Sequence, residues 1–100
     1  MLYAILCEDH ENSLQKRLET RALHLQRLQQ LQQQGRIILA GPHPAIDNID
    51  PGSAGYTGSL IVAEFSSLDE AKEWAVADPY QTAGVYKNVT VKPFRQVFPE

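Results

Sequence analysis

From Leu14 to Gln34 the chain runs without a glycine or proline, and its leucines recur at helical spacing. Leu14, Leu18, Leu25 and Leu28 follow at steps of four, seven and three, with Leu31 at the edge of the row. That spacing puts them on one side of a helix. Gln, Leu, Arg and Glu all favour helix, and Gly35 supplies a stop. A helix this long must lay an apolar face on something. The neighbouring segments offer it: LYAILC at 2–7 and RIILA at 36–40 are short apolar runs that read as strands.

The rest of the chain repeats the unit. SLIVAEF at 59–65 reads as a third strand. SSLDEAKEWAVA follows as a second helix, with Ser66 or Ser67 as cap and Glu70 placed for a capping box. Leu68, Ala71, Trp74 and Ala75 share its apolar face. YKNVTVKPFRQVF reads as the last strand, and Pro93 marks it as an edge or a bulge. The order β-α-β-β-α-β predicts an α+β, ferredoxin-like fold, a four-stranded antiparallel sheet with both helices on one face. Buried-type residues occupy both phases of the first and third strands. A second copy of the chain is therefore expected on the open face, making a homodimer. Residues 41–58, rich in Gly, Pro and Asp, are expected to hold no regular element. A loop of that length is either a binding lid or a plain connection.

Composition narrows the function. One hundred residues suit a single domain, 1–100, with 43% apolar and 21% charged residues. The net charge of −3 and the scattered basic residues argue against a nucleic-acid partner. No apolar run approaches the roughly 20 residues that span a bilayer, so no membrane partner is expected. The N-terminus lacks the flanks of a signal peptide, and Cys7 stands alone without a disulfide partner. The expected compartment is cytoplasmic, with Cys7 an inert core thiol.

Few side chains are candidates for chemistry. Arg17, Arg21, His24, Leu28 and Leu31 form one row on the first helix, beside the leucine stripe. The two arginines and the histidine should edge the core, where a cleft can open. A histidine there suits proton transfer near neutral pH, and an arginine one turn away suits an anion. The plainer reading is a helix shoulder of amphipathic side chains. Asp78 in ADPYQTAG has a structural reason to exist: Asp is a preferred N-cap and Pro is favoured next. A capping carboxylate can still accept a hydrogen bond from an imidazole. Tyr56 and Tyr80 suit a pocket wall or the core. His10 and His43 fall in loops. No His/Cys/Asp spacing matches a metal frame, no serine elbow is present, and the glycines at 52–58 do not form a dinucleotide loop. No metal and no cofactor is expected.

The chain nevertheless carries a pattern. MLYAILCED, RLETRALHLQRL, GRIILAGPHPA and GYTGSLIVAEFSSLDEAKEWAVADPY resemble the YciI-like, or YCII-related domain, proteins nearly end to end. The most specific pieces are R-x-x-H-L at 21–25, A-G-P at 40–42, G-S at 58–59 and A-D-P-Y at 77–80. The resemblance implies a dimeric α+β barrel with two sheets face to face. It also implies a cleft holding a His–Asp pair, which falls on His24 and Asp78. One branch of the family resembles dehydrochlorinases of chlorinated hydroxyquinols, and the wider superfamily includes muconolactone isomerases and monooxygenases.

These observations lead to an expected small enzyme. Asp78 would orient His24, and His24 would shuttle a proton on a small ring-type or anionic metabolite by elimination, isomerisation or hydrolysis. Arg17 or Arg21 would offset negative charge. Gly41, Pro42, Ser59 and Tyr80 would shape the pocket, and the loop 43–57 would cover it. The alternative is a dimeric small-molecule-binding or sensor module without turnover.

Overall fold

A computed structural model describes residues 1–100. The elements in chain order are β1 (Leu2–Asp9), α1 (Leu14–Gln33), β2 (Ile37–Pro44), β3 (Tyr56–Glu64), α2 (Leu68–Val76), α3 (Pro79–Thr82) and β4 (Tyr86–Phe94), with one 3₁₀ turn at Gly52–Ala54. The sheet order is β2-β3-β1-β4, antiparallel at every pairing. This is the split β-α-β arrangement predicted above, with the helices on one face.

Local chemistry explains the boundaries. Past α1, Gly35 takes φ 69°. Its N–H donates to Gln32 O at 3.0 Å and the Arg36 N–H to Leu31 O at 2.9 Å. That is a Schellman stop, and a side chain at Gly35 would be strained. Gly84, at φ 79°, ends α3 in the same way, with the Val85 N–H on Tyr80 O at 2.9 Å. Ser67 caps α2 by accepting from the Glu70 N–H at 3.1 Å, while Glu70 accepts from the Ser66 N–H at 3.2 Å. Pro93 lies on β4, an edge strand that pairs only with β1.

Two boundaries differ from expectation. Residues 41–44 are strand, not loop, and β3 begins at Tyr56, so the irregular segment shrinks to 45–55. Gly and Pro signal turns in general, but β2 is an edge strand and needs one partner only. Of the segment 43–57 expected to cover the cavity described below, only Tyr56 lines it, and Tyr56 belongs to β3. Ile46 and Ile49 of that segment are exposed.

The core lies between the sheet and the helices. Tyr3, Ile5 and Cys7 from β1 pair with Ala63, Ile61 and Ser59 from β3 and share their face. Ala71 and Ala75 of α2 press onto the same core, with Leu68 and Trp74 packed at its edge. On the opposite face Leu6 and Phe94 are exposed, beside a half-buried Leu60.

The core face of α1 departs from the sequence reading. Its buried residues are Arg17, His24 and Leu31, seven apart, whereas Leu18 is 59% exposed. The leucine stripe does not fill the core, and Arg17, His24 and Leu31 from the row expected at its edge lie underneath, while Arg21 of that row stays exposed. The reason is charge neutralisation, which hydropathy does not record. Asp9 continues the inward phase of Tyr3, Ile5 and Cys7 and is itself buried. Its carboxylate accepts from Arg17 Nε at 2.6 Å and from Nη2 at 3.0 Å. Nη2 also donates to Gly58 O at 2.9 Å and Ser59 Oγ at 2.8 Å. Burial works against the Arg17 charge and is the largest single influence on it, but the hydrogen bonds and negative charge of Asp9, with smaller help from Tyr86 and Tyr80, together outweigh it and raise the guanidinium pKa. The pair ties α1 to the end of β1, where the register with β4 slips between Glu8 and Asp9.

Two outcomes are expected. Asp9→Ala should lose about 3–5 kcal/mol in urea unfolding, because it strands a buried guanidinium. The double variant Asp9→Leu with Arg17→Met should be less destabilised than the two singles added together; strict additivity would show that the pair is not coupled. Cys7, 6% exposed, has its pKa pushed by burial from 9.0 up to about 12. The native state therefore holds this proton longer than the unfolded chain. The stability it contributes is complete below pH 9.0 and is lost as pH rises toward about 12. At pH 8 a thiol reagent should label Cys7 only after urea is added; rapid native labelling would contradict this burial.

Candidate functional site

Asp78 stands between two helices. α2 ends at Val76, and Pro79 starts α3 with its missing N–H at a position that needs none. Asp78 has extended geometry, φ −61° and ψ 131°, and its Oδ1 accepts from the Tyr80 N–H at 2.9 Å. This is the cap that the sequence predicts. The carboxylate also meets α1. His24 Nδ1 lies 2.9 Å from Oδ1 and 2.9 Å from Oδ2. Capping and imidazole contact thus share one side chain, and both carboxylate oxygens face the ring. Asp78 is 2% exposed and His24 7%. A carboxylate can only accept, so this contact puts the ring proton on Nδ1.

Tyr80 holds the same ring from a second direction. Its aromatic plane stacks on His24 with centroids 4.0 Å apart and planes 13° apart. Arg17 lies 4.9 Å from the Tyr80 centroid, and the Tyr80 hydroxyl donates to Arg17 O at 3.4 Å. Tyr86 packs edge-on to Tyr80 at 5.6 Å. The Tyr86 hydroxyl is buried without a hydrogen-bond partner, and burial raises the pKa of both phenols. Arg27 of α1, half-buried, lies over Trp74 at 4.3 Å and donates to Trp74 O at 2.8 Å, fastening α1 to α2.

Beside His24 a cavity of about 250 Å³ opens between α1 and strands β2 and β3. Arg17, Arg21 and His24 line it from α1, together with Leu14, Leu18, Leu25 and Leu28. The leucine stripe is therefore a cavity wall. Ala40, Gly41 and Pro42 come from β2, and Tyr56, Ser59 and Ile61 from β3, with Tyr80 closing one end. Ala40 and Pro42 pair with Ile61 and Ser59, which turns all four toward α1. Every residue expected to shape a pocket (Arg17, Arg21, Gly41, Pro42, Ser59 and Tyr80) lines this one, and Asp78 stands behind His24. Asp9 is the important residue not singled out from sequence. Its phase on β1 was the available signal. No three His, Cys, Asp or Glu side chains converge where they could share a metal ion.

The chain and its fold have counterparts among known proteins. Protein YciI from Escherichia coli O6:H1 is 57% identical over 98% of this chain and 100% of its own length. An uncharacterised protein of Haemophilus influenzae is 53% identical over the same shares. Among solved structures, the 5-chloro-2-hydroxyhydroquinone dehydrochlorinase TftG from Burkholderia phenoliruptrix, in complex with 2,5-dihydroxybenzoquinone, superposes with a TM-score of 0.82. It shares 30% identity, and the match covers 95% of this chain and 94% of that one. Atu4242 from Agrobacterium tumefaciens, 16% identical with a TM-score of 0.51 over 98% of this chain and 96% of its own, shares the fold. The YCII-related domain model matches residues 1–95, and the chain belongs to that family.

Proposed function

We propose that this chain is a small enzyme that moves protons with His24, oriented by Asp78, on a small ring-type or anionic metabolite. One observation carries the proposal: His24 lines a cavity of mixed leucine and polar wall with its Nδ1 held 2.9 Å from both oxygens of a buried carboxylate. A base must keep one nitrogen free and its plane fixed. Asp78 engages Nδ1 and leaves Nε2 to exchange protons with the cavity. The stacked Tyr80 ring prevents rotation out of that plane. When Nε2 takes a proton, Asp78 faces the positive charge that forms.

The chemistry is elimination, isomerisation or hydrolysis, and the likeness to a dehydrochlorinase favours elimination. In that reaction Nε2 removes a substrate proton, the released electron pair forms a new double bond, and chloride departs with the electrons of the C–Cl bond. Ser59, Gly41 and Pro42 shape the floor of the cavity. Arg21 places positive charge along it, while the charge of Arg17, also on its wall, is matched by Asp9. Residues 1–100 act as one domain, in the cytoplasm, where Cys7 stays a thiol. The active form is a homodimer joined through the open sheet face that carries Leu6, Leu60 and Phe94. Covering that face removes apolar surface from water that the monomer leaves exposed.

Two measurements check this. Chloride release from 5-chloro-2-hydroxyhydroquinone, and isomerisation of ring lactones, should fall by about 10²–10⁴-fold in His24→Ala. Equal rates in the two proteins would remove His24 from the mechanism. Sedimentation at micromolar concentration should give a dimer, and Leu6→Glu should produce a folded monomer. A wild type that stays monomeric would overturn the face-to-face pairing.

A further inference from the structure

Positive charge along the cavity is not evenly available. Arg17 is neutralised by Asp9 and has Nε and Nη2 committed within the fold. Arg27 is turned onto Trp74, and Arg36 pairs with Glu70 at 3.3 Å away from the cavity. His24 already faces Asp78. Arg21 alone among the cavity's cations forms neither an ion pair nor a side-chain hydrogen bond. It is exposed, so it stands at the solvent side of the cavity, one turn from His24.

Size and wall chemistry add to this. The volume of about 250 Å³ exceeds the roughly 150 Å³ that encloses benzene, leaving room for one ring and a substituent. The α1 side is a row of four leucines, and Leu18 is 59% exposed there. A leucine row, half-buried at Leu14, Leu25 and Leu28 and exposed at Leu18, beside one unpaired guanidinium fits a flat apolar body with a single negative end.

We propose that the cavity takes a single-ring monocarboxylate, its carboxylate on Arg21 and its ring along Leu14, Leu18, Leu25 and Leu28. This rests on His24 and Asp78 being the reactive end of the site and names the ligand class that the site takes. The planar guanidinium matches a carboxylate with two parallel hydrogen bonds. A phosphate dianion would leave one charge unmatched, because Asp9 has already taken Arg17. With the carboxylate at the mouth, the far edge of the ring reaches His24.

The test is calorimetric titration of the full chain with benzoate and with its neutral isostere benzamide. Benzoate should bind more tightly than benzamide, and added NaCl should weaken benzoate only. Arg21→Met should weaken benzoate by about tenfold or more and leave benzamide unchanged, while Arg21→Lys should recover part of the loss. 2-Naphthoate, with a second fused ring, should not bind. Equal affinity for benzoate and benzamide in the wild type, a benzoate preference that survives Arg21→Met, or no benzoate binding would each overturn the proposal. His24→Ala, titrated in parallel, separates the two ideas. Benzoate binding that it retains, alongside lost turnover, supports both. Turnover that survives His24→Ala removes the acid–base role while the Arg21 result stands on its own.

Discussion

The carboxylate of Asp78 is the point where the chain's path and its candidate chemistry meet. It caps α3 through the Tyr80 N–H and holds His24 through Nδ1, with both side chains buried. A buried carboxylate with neither partner would be costly. Each contact therefore stabilises the other. The Asp-Pro turn fixes where α3 begins, and α3 brings the Tyr80 ring onto the imidazole. One short stretch of sequence sets the position of the acid, the plane of the base and the closed end of the cavity.

A second buried pair makes this possible. Arg17 and Asp9 fasten α1 to the sheet two turns before His24. With the helix rotated so that Arg17, His24 and Leu31 point inward, the leucines at 14, 18, 25 and 28 are turned aside and form the cavity wall. Had those leucines taken the core, no cavity of this kind would lie beside His24. The ion pair acts less as a source of stability than as a choice of helix face, a use to which buried polar pairs are suited.

This also marks where sequence reasoning worked and where it failed. The element order, the stop at Gly35, the cap at Asp78 and the edge position of Pro93 were legible, because each depends on neighbours in the chain. The pairing of His24 with Asp78 came through resemblance; spacing alone placed each residue without joining them. The inward face of α1 was not legible. Leucine spacing points to a leucine core, and only a partner on another strand makes burial of Arg17 affordable. Asp9 could have been found from its inward phase on β1. Its match with Arg17 depends on tertiary packing. The strand at 41–44 was hidden by Gly41, Pro42 and Pro44, which an edge strand tolerates.

The central claim is that Asp78 fixes the tautomer of His24 so that Nε2 serves the cavity. Nitrogen-15 NMR of the imidazole, at a pH where the ring is neutral, tests it directly in wild type and in Asp78→Asn. The account predicts His24 protonated on Nδ1 and bare on Nε2 in wild type, with that preference lost in Asp78→Asn. A proton on Nε2 in wild type, or the same tautomer in both proteins, would contradict it.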